Sequence, residues 1–354
     1  MKICIYISKT LLKALRFYGK LFSVVAKGEI VLSEPLFLAP VFHEKIWGGN
    51  KLATEFGYKI PSDQTGECWA ISAHPHGPAE VINGPYKGLT LDQVWAQHRE
   101  AFGNAKGDVF PLLTKILDAN DNLSVQVHPN DAYAAEHEHE LGKTECWYVI
   151  SAEPGAELYY GHNAKNHEEL ADWINHGEWD KLFRRVPVKA GDFYYVPSGM
   201  IHALGKGIMV LETQQSSDTT YRLYDFDRVD KKTGKKRELH LKQSIDVITV
   251  PHEDPKLNVE KTTVGDAEVT TYVKPPVSPH FSVYQWLLKN GTATFKRGAA
   301  PYTLVSVLKG EGHIEVDGKS YDIKKGVHFI LPYQVKEWTL TGELQIIASE
   351  PGEA

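Results

Sequence analysis

Gly191-Asp192-Phe193-Tyr194-Tyr195-Val196-Pro197-Ser198-Gly199-Met200-Ile201-His202 is the stretch on which the reading of this chain turns. A glycine opens it, where a tight turn needs the backbone freedom of a residue without Cβ. Four β-prone residues follow, and Pro197 ends the strand because it has no N–H to give to a ladder. A second glycine and then His202 complete the pattern of Gly, five residues, Pro, one residue, Gly, two residues, His. Val188-Lys-Ala-Gly-Asp-Phe-Tyr-Tyr-Val-Pro197 has an echo in Ile323-Lys-Lys-Gly-Val-His-Phe-Ile-Leu-Pro332. Five residues beyond Pro197 stands His202, whereas five beyond Pro332 stands Glu337 with no histidine nearby. Two halves of one architecture are expected, with chemistry kept only in the first.

Outward from this stretch, strands are expected at 123–128, 145–151, 186–190, 193–197, 208–214 and 221–224. Helices are expected at 91–102 and 241–248, and the periodicity of Leu170, Trp173, Ile174, Trp179 and Leu182 predicts a helical pair over 167–185. After Pro251 and Pro255, short strands separated by Asn290-Gly291, Gly310-Glu311-Gly312 and Asp317-Gly318 run to the C-terminus. The 354 residues are 42% hydrophobic and 24% charged, enough for more than one core and far from a disordered composition. Residues 1–31 hold six Lys/Arg against one Glu, so the net charge of −6 becomes −11 over residues 32–354, which disfavours a nucleic-acid groove. No run of eighteen apolar residues supports a membrane span. Cys4, Cys68 and Cys146 are too few and scattered for a disulfide framework, which suits a reducing cytoplasm. Residues 1–32 are expected to be an N-terminal extension, disordered or outside the native chain: Lys27-Gly28-Glu29 is what an in-frame ribosome-binding sequence would encode, ahead of a start at Val31 or Leu32.

Gln126-Val127-His128 lies on one predicted strand, and the two-residue period puts Gln126 and His128 on one face. With Glu145 and His202 they offer an amide oxygen, two imidazoles and a carboxylate, a set that suits Zn2+ and would also admit Fe2+. The spacing ending in His202 resembles the second signature of the cupin barrel. The implied fold is mainly β, with two cupin-like (jelly-roll) β-barrels: a catalytic domain over 33–250 with a short helical insertion at 164–186, and a C-terminal domain over 251–354 lacking metal ligands.

A closer resemblance covers the chain from about Ser33 to its end. Ile46-Trp47-Gly48-Gly49, Phe110-Pro111-Leu112-Leu113 with Lys115, Leu123-Ser124-Val125-Gln126-Val127-His128-Pro129, Gly142-Lys143-Thr144-Glu145 and Gln214-Gln215-Ser216-Ser217-Asp218-Thr219-Thr220-Tyr221-Arg222 together resemble the type I mannose-6-phosphate isomerases of the short bacterial kind. The resemblance implies one zinc ion per chain held by Gln126, His128, Glu145 and His202. It also implies interconversion of mannose 6-phosphate and fructose 6-phosphate, and an essential Arg222. For the proton shuttle the candidates are Lys143, Lys115 and Glu212, since a lysine beside a dication can titrate near neutrality. Ser124 and Trp47 are candidate substrate contacts, and Glu212 is alternatively a support for Arg222. His137-Glu-His-Glu140 reads as a solvated helical face. Activity is expected to fall in mild acid as His128 and His202 protonate. The expected partner is a small sugar phosphate, with no nucleic acid or membrane and a monomer or weak homodimer in the cytoplasm. Two rivals are an iron-dependent cupin oxygenase, permitted by His128, Glu145 and His202, and a non-catalytic carbohydrate-binding bicupin.

Overall fold

The computed structural model describes residues 33–230 and 233–352. The expected N-terminal extension lies outside the described residues. The first half runs through β1 (Leu36–Ala39), β2 (Val41–Gly49), β3 (Thr65–Ile71), β4 (Glu80–Val81), β5 (Leu112–Ala119), β6 (Val125–Val127), β7 (Glu145–Ala152) and β8 (Glu157–His162). It continues with β9 (Phe183–Pro187), β10 (Phe193–Val196), β11 (His202–Leu204), β12 (Ile208–Gln215) and β13 (Tyr221–Tyr224). The second half holds β14 (Glu260–Val264), β15 (Ala267–Val273), β16 (Phe281–Lys296), β17 (Thr303–Val316), β18 (Lys319–Lys324), β19 (His328–Leu331) and β20 (Glu337–Pro351).

The mainly β, jelly-roll expectation is met by three antiparallel sheets packed face to face. A six-stranded sheet, in the order β10-β7-β12-β5-β3-β2, faces a five-stranded sheet, β13-β6-β11-β8-β9. The space between them holds one apolar core, with Val125, Trp147, Leu158, Ile201 and Val210. The remaining strands form a nine-stranded sheet that folds around a second core of Trp286, Phe295, Val305, Trp338 and Ile346. β1 and β4 join this sheet although they come from the first half, with Leu36 opposite Ile330.

The alternation of β3, β5, β7 and β12 decides what each face of the six-stranded sheet meets. Cys68, Ile116, Cys146, Tyr148 and Leu211 pack outward against Phe281, Leu304 and Ile347 of the nine-stranded sheet. Glu67, Lys115, Glu145 and Glu212, one residue away along the same strands, therefore point to the opposite face. Polar links cross the outer interface. Gln285 Nε2 donates to the Tyr148 hydroxyl at 3.0 Å, Gln345 Nε2 donates to the same oxygen, and Thr213 Oγ1 lies 3.0 Å from Ser349 Oγ.

The echo between residues 188–197 and 323–332 is real in backbone terms, since Gly191 and Gly326 take φ values of 89° and 87° in matching turns. Glu337, which stands where His202 would be, faces outward and lies 3.5 Å from Lys296, while Trp338 turns inward to stack on Phe295. Aromatic rings thus fill the second interior. The helical pair is shorter than expected, spanning His167–His176 and Trp179–Leu182. The chain becomes a strand at Phe183, because pairing of Val186 with Leu158 outweighs continued helical periodicity. Among the described residues no helix is long and apolar enough to cross a membrane.

Tyr148→Phe leaves Gln285 and Gln345 without their shared acceptor at a largely buried interface. We expect a loss of about 1–3 kcal/mol of stability, read as a lower urea midpoint; an unchanged midpoint would show the links to be dispensable.

Candidate active site

Strand register assembles the site. His202 sits opposite Gln126 across the β11–β6 pair, and Arg222 sits opposite Gln126 across β13–β6. On the facing sheet, Trp147 is opposite Glu212, Glu212 opposite Lys115, and Lys115 opposite Trp69, a row across β7, β12, β5 and β3. Side chains follow the register. Trp147 Nε1 donates to Glu212 Oε1 at 3.0 Å, Lys115 Nζ lies 3.7 Å from Glu212 Oε2, and the same ammonium stands 4.8 Å from the Trp69 ring centre.

His128, Glu145 and His202 are buried, and one donor atom from each falls within 4.8 Å of the others. His128 Nε2 and His202 Nε2 are 3.2 Å apart, and Glu145 approaches them at 3.4 and 3.2 Å. His202 Nδ1 donates to the Met200 carbonyl at 2.8 Å, leaving the Nε2 lone pair aimed inward. Gly199, at φ 83°, shapes the turn that presents it, and its N–H donates to the His128 carbonyl. Both carboxylate oxygens of Glu145 are buried without a hydrogen-bond donor of normal geometry. Unprotonated imidazole nitrogens around an unsatisfied carboxylate are what a divalent cation needs, and the donor set fits one. The Gln126 amide nitrogen lies 3.4 Å from His202 Nε2, so a half-turn of the amide brings its oxygen to the cluster as a fourth donor.

The cluster underlies a cavity of about 90 Å³ lined by Lys45, Trp47, Glu67, Lys115, Leu117, Leu123, Ser124, Gln126, Lys143, Trp147, Glu212, Asp218, Thr220, Arg222 and Arg237. Lys45 also lines a neighbouring cavity of about 380 Å³. Every candidate named from the sequence either lines the cavity or stands in the His–Glu cluster: Trp47, Lys115, Ser124, Gln126, His128, Lys143, Glu145, His202, Glu212 and Arg222. Lys45, Glu67, Asp218 and Arg237 also line the cavity and were not named as site residues; Asp218 lies in the quoted stretch ending at Arg222, but nothing local assigns it a role.

Charge pairing is close to complete. Lys45 pairs with Glu67 at 3.2 Å, Lys143 with Glu145 at 3.2 Å, and Arg237 with Asp225 at 2.6 Å. Among the described residues Arg222 is the cavity's cation without a carboxylate in ion-pair contact. Its Nη1 donates to the Glu238 carbonyl at 2.9 Å and its Nε to Ser124 Oγ at 3.3 Å. Its backbone N–H donates to His240 Nδ1. Ser124 and the 238–240 segment, rather than Glu212, therefore support Arg222.

Burial, reinforced by the nearby Glu145 charge, pushes the Glu212 carboxyl up to about 7 against the pull of Lys115 and Lys143. Burial favours the charged form of Glu67 least, yet Lys45, Lys115 and the Trp69 indole bring it down to about 2. For Lys143, burial works toward the neutral amine, but Glu145, Glu212 and Asp218 outweigh it and raise its pKa. His137-Glu-His-Glu140 is not simply a solvated face: Glu138 accepts from the Tyr221 hydroxyl at 2.7 Å, and Glu140 from Ser217, Asp218 and Thr219.

Residues 36–165 match the family model for the phosphomannose isomerase type I catalytic domain, and residues 268–351 match the mannose-6-phosphate isomerase cupin domain. The chain is 58% identical, over 91% of its length and all of the relative's, to a mannose-6-phosphate isomerase of Streptococcus mutans. It is 55% identical to one from Bacillus subtilis, over 90% of this chain and 99% of the relative. A crystal structure of the mannose 6-phosphate isomerase from Bacillus subtilis superposes with a TM-score of 0.85 at 50% identity, covering 89% of this chain and 99% of that one.

Burial drives His128 down to about 3, followed by the repulsion of Lys143, and lowers His202 as well. Protons therefore compete for these nitrogens only in more acid solution, not in the mildly acid range expected from free imidazole. Bound metal, measured after dialysis, should stay constant from about pH 8 to about pH 5; loss between pH 7 and 6 would contradict this.

Proposed function

The chain belongs to the type I phosphomannose isomerase family and interconverts mannose 6-phosphate and fructose 6-phosphate; from that premise we propose how its cavity does so. An iron-dependent oxygenase and a non-catalytic bicupin find no support among the relatives. Isomerisation removes a proton from C2 of the open-chain sugar and delivers it to C1, with negative charge building on the oxygens of an enediolate. The residues must therefore supply a base that can return its proton and a cation able to meet that charge.

Glu212 is our assignment for the proton carrier. A carboxyl near 7 is ionised often enough to accept the C2 proton and basic enough to hold it. Lys115 keeps it oriented from below and Trp147 from the side. Arg222 is assigned to the developing oxyanion: its fork is permanently charged, and no carboxylate contact neutralises it. Ser124 orients that fork, and Lys143, ionised among its carboxylates, stands over the His–Glu cluster, 3.0 Å from His128 Nε2 and 3.2 Å from Glu145. Trp47 closes the apolar wall and keeps water from the reacting carbons.

Gln126, His128, Glu145 and His202 would hold one zinc ion per chain. Zinc there would supply Lewis acidity toward the sugar oxygens. The observation that carries the metal assignment is the buried, hydrogen-bond-free carboxylate of Glu145 between two imidazoles with inward nitrogens. The division into a catalytic domain and a C-terminal domain without ligands is likewise our proposal, supported by the aromatic filling of the second interior. The polar, cation-rich lining of the cavity suits a sugar phosphate as partner.

A coupled assay with mannose 6-phosphate should lose its activity in chelator and regain it on zinc add-back; full turnover in chelator would remove the metal role. For Glu212 the sign is that of a base: kcat/KM should fall as pH drops below about 7, where the carboxyl protonates. Glu212→Gln should lower kcat by about 10²–10⁴ and erase that limb. Residual activity that keeps the limb would move the role elsewhere.

A further inference from the structure

Three carboxylates other than the cluster's Glu145 line the cavity, and they are not equivalent. Glu212 and Glu67 each receive an indole N–H and a lysine ammonium. Asp218 has neither. Its Oδ2 meets His76 Nδ1 at 3.0 Å, on a histidine that stands mostly in solvent. No lysine or arginine of the cavity reaches it within ion-pair distance among the described residues. It nevertheless remains ionised. Burial would raise it, but Lys115, the His76 hydrogen bond, Lys45 and Lys143 hold it at about 2. The two lysines that act on it most mark the length of the cavity, Lys115 deep at 4% exposed and Lys45 at 30% toward the opening.

Asp218 stands on residues 216–220, a stretch without regular secondary structure. One side chain from elsewhere sets its shape. Glu140 Oε2 accepts from Ser217 Oγ at 3.0 Å, from the Asp218 N–H at 3.3 Å and from Thr219 Oγ1 at 2.7 Å. Its other oxygen faces the buried His74 at 3.5 Å, and His74 Nδ1 accepts the His76 N–H. Glu140, His74, His76 and Asp218 therefore close a ring that fixes one cavity carboxylate without neutralising it by a cation. An ionised acceptor with spare lone pairs, in a space that receives a polyol, is suited to hydroxyl hydrogens, because hydrogen bonds to a charged partner are about twice as strong as neutral ones.

We propose that Asp218 is a specificity-determining residue whose carboxylate accepts a hydroxyl hydrogen from the sugar chain beyond the reacting carbons, and that Glu140 is the positioning residue that fixes it there. The proposal rests on the functional reading above.

The test compares kcat/KM of wild type and Asp218→Asn on mannose 6-phosphate and on its 3-, 4- and 5-deoxy analogues. Loss of a charged hydrogen bond should lower kcat/KM for the full substrate roughly 10- to 100-fold, mainly through KM. On the one analogue that lacks the recognised hydroxyl, the two proteins should differ by less than about threefold. Equal losses on all four substrates, or no loss, would overturn the assignment. Thermal midpoints and metal content are measured on every variant, and Asp218→Glu, which keeps the charge but displaces it, should show the same analogue dependence should the asparagine variant fail to fold. Glu140→Ala should reproduce the analogue-dependent loss with Asp218 intact, and Glu140→Gln, which retains one carbonyl acceptor, should recover most of it. A Glu140→Ala loss spread evenly over all substrates would leave only a structural role. Full turnover in chelator would sink the metal assignment while leaving this substrate comparison readable.

Discussion

A two-residue period in four adjacent strands is the constraint on which the rest of the molecule depends. Trp147, Glu212, Lys115 and Trp69 stand in register across β7, β12, β5 and β3. Their chain neighbours Tyr148, Leu211, Ile116 and Cys68 face the apolar interface with the nine-stranded sheet. A slip of one residue in any of these strands would exchange charged and apolar faces, burying carboxylates against Phe281 and Ile347 and emptying the site. The second half of the chain lines no part of the cavity yet bears on it: it makes the slip costly by giving the outer face something apolar to meet.

Burying several charges on one sheet face is expensive unless each finds a partner. The cavity meets that cost by pairing, lysine against carboxylate, with indole N–H groups taking the remaining lone pairs. The exceptions are informative because pairing is otherwise so complete. Glu145, besides its ion pair with Lys143, lies between two imidazoles, Arg222 has no carboxylate, and Asp218 has no lysine. A cation, an oxyanion and a hydroxyl are the three things that an aldose–ketose isomerase of a sugar phosphate must hold. The His–Glu cluster, Arg222 and Asp218 match them in kind.

The same electrostatics separate residues that look alike in the chain. Lys143 is a buried lysine, yet three carboxylates around it outweigh burial and raise its pKa. Glu67 and Glu212 are buried glutamates of one sheet, and they end at about 2 and about 7: burial raises both, but Lys45, Lys115 and the Trp69 indole overcome it at the first, while at the second burial and the Glu145 charge outweigh Lys115 and Lys143. No count of residue types along the chain contains that difference, which arises from which neighbours the register supplies.

Much of the molecule was legible from local pattern. Turn glycines, strand-ending prolines and alternation located most of the strands, and the stretch from Gly191 to His202 pointed to His202, because these signals depend on a few consecutive residues and the steric rules that bind them. The helical pair was overextended past Leu182, where pairing with β8 prevailed over periodicity. Ligand candidates could be named from chemistry and resemblance, and Ser124, a candidate substrate contact, lines the cavity with Gln126. What the chain alone determined was composition of the site: an amide, two imidazoles, a carboxylate, lysines and an arginine. What only the tertiary structure decided was their charge state and company, since Glu140 meets Asp218 across 78 residues and Lys45 meets Glu67 only when two strands pair. Coulombic and desolvation energies fall with distance in space, and distance in space is the one quantity that one-dimensional order does not carry.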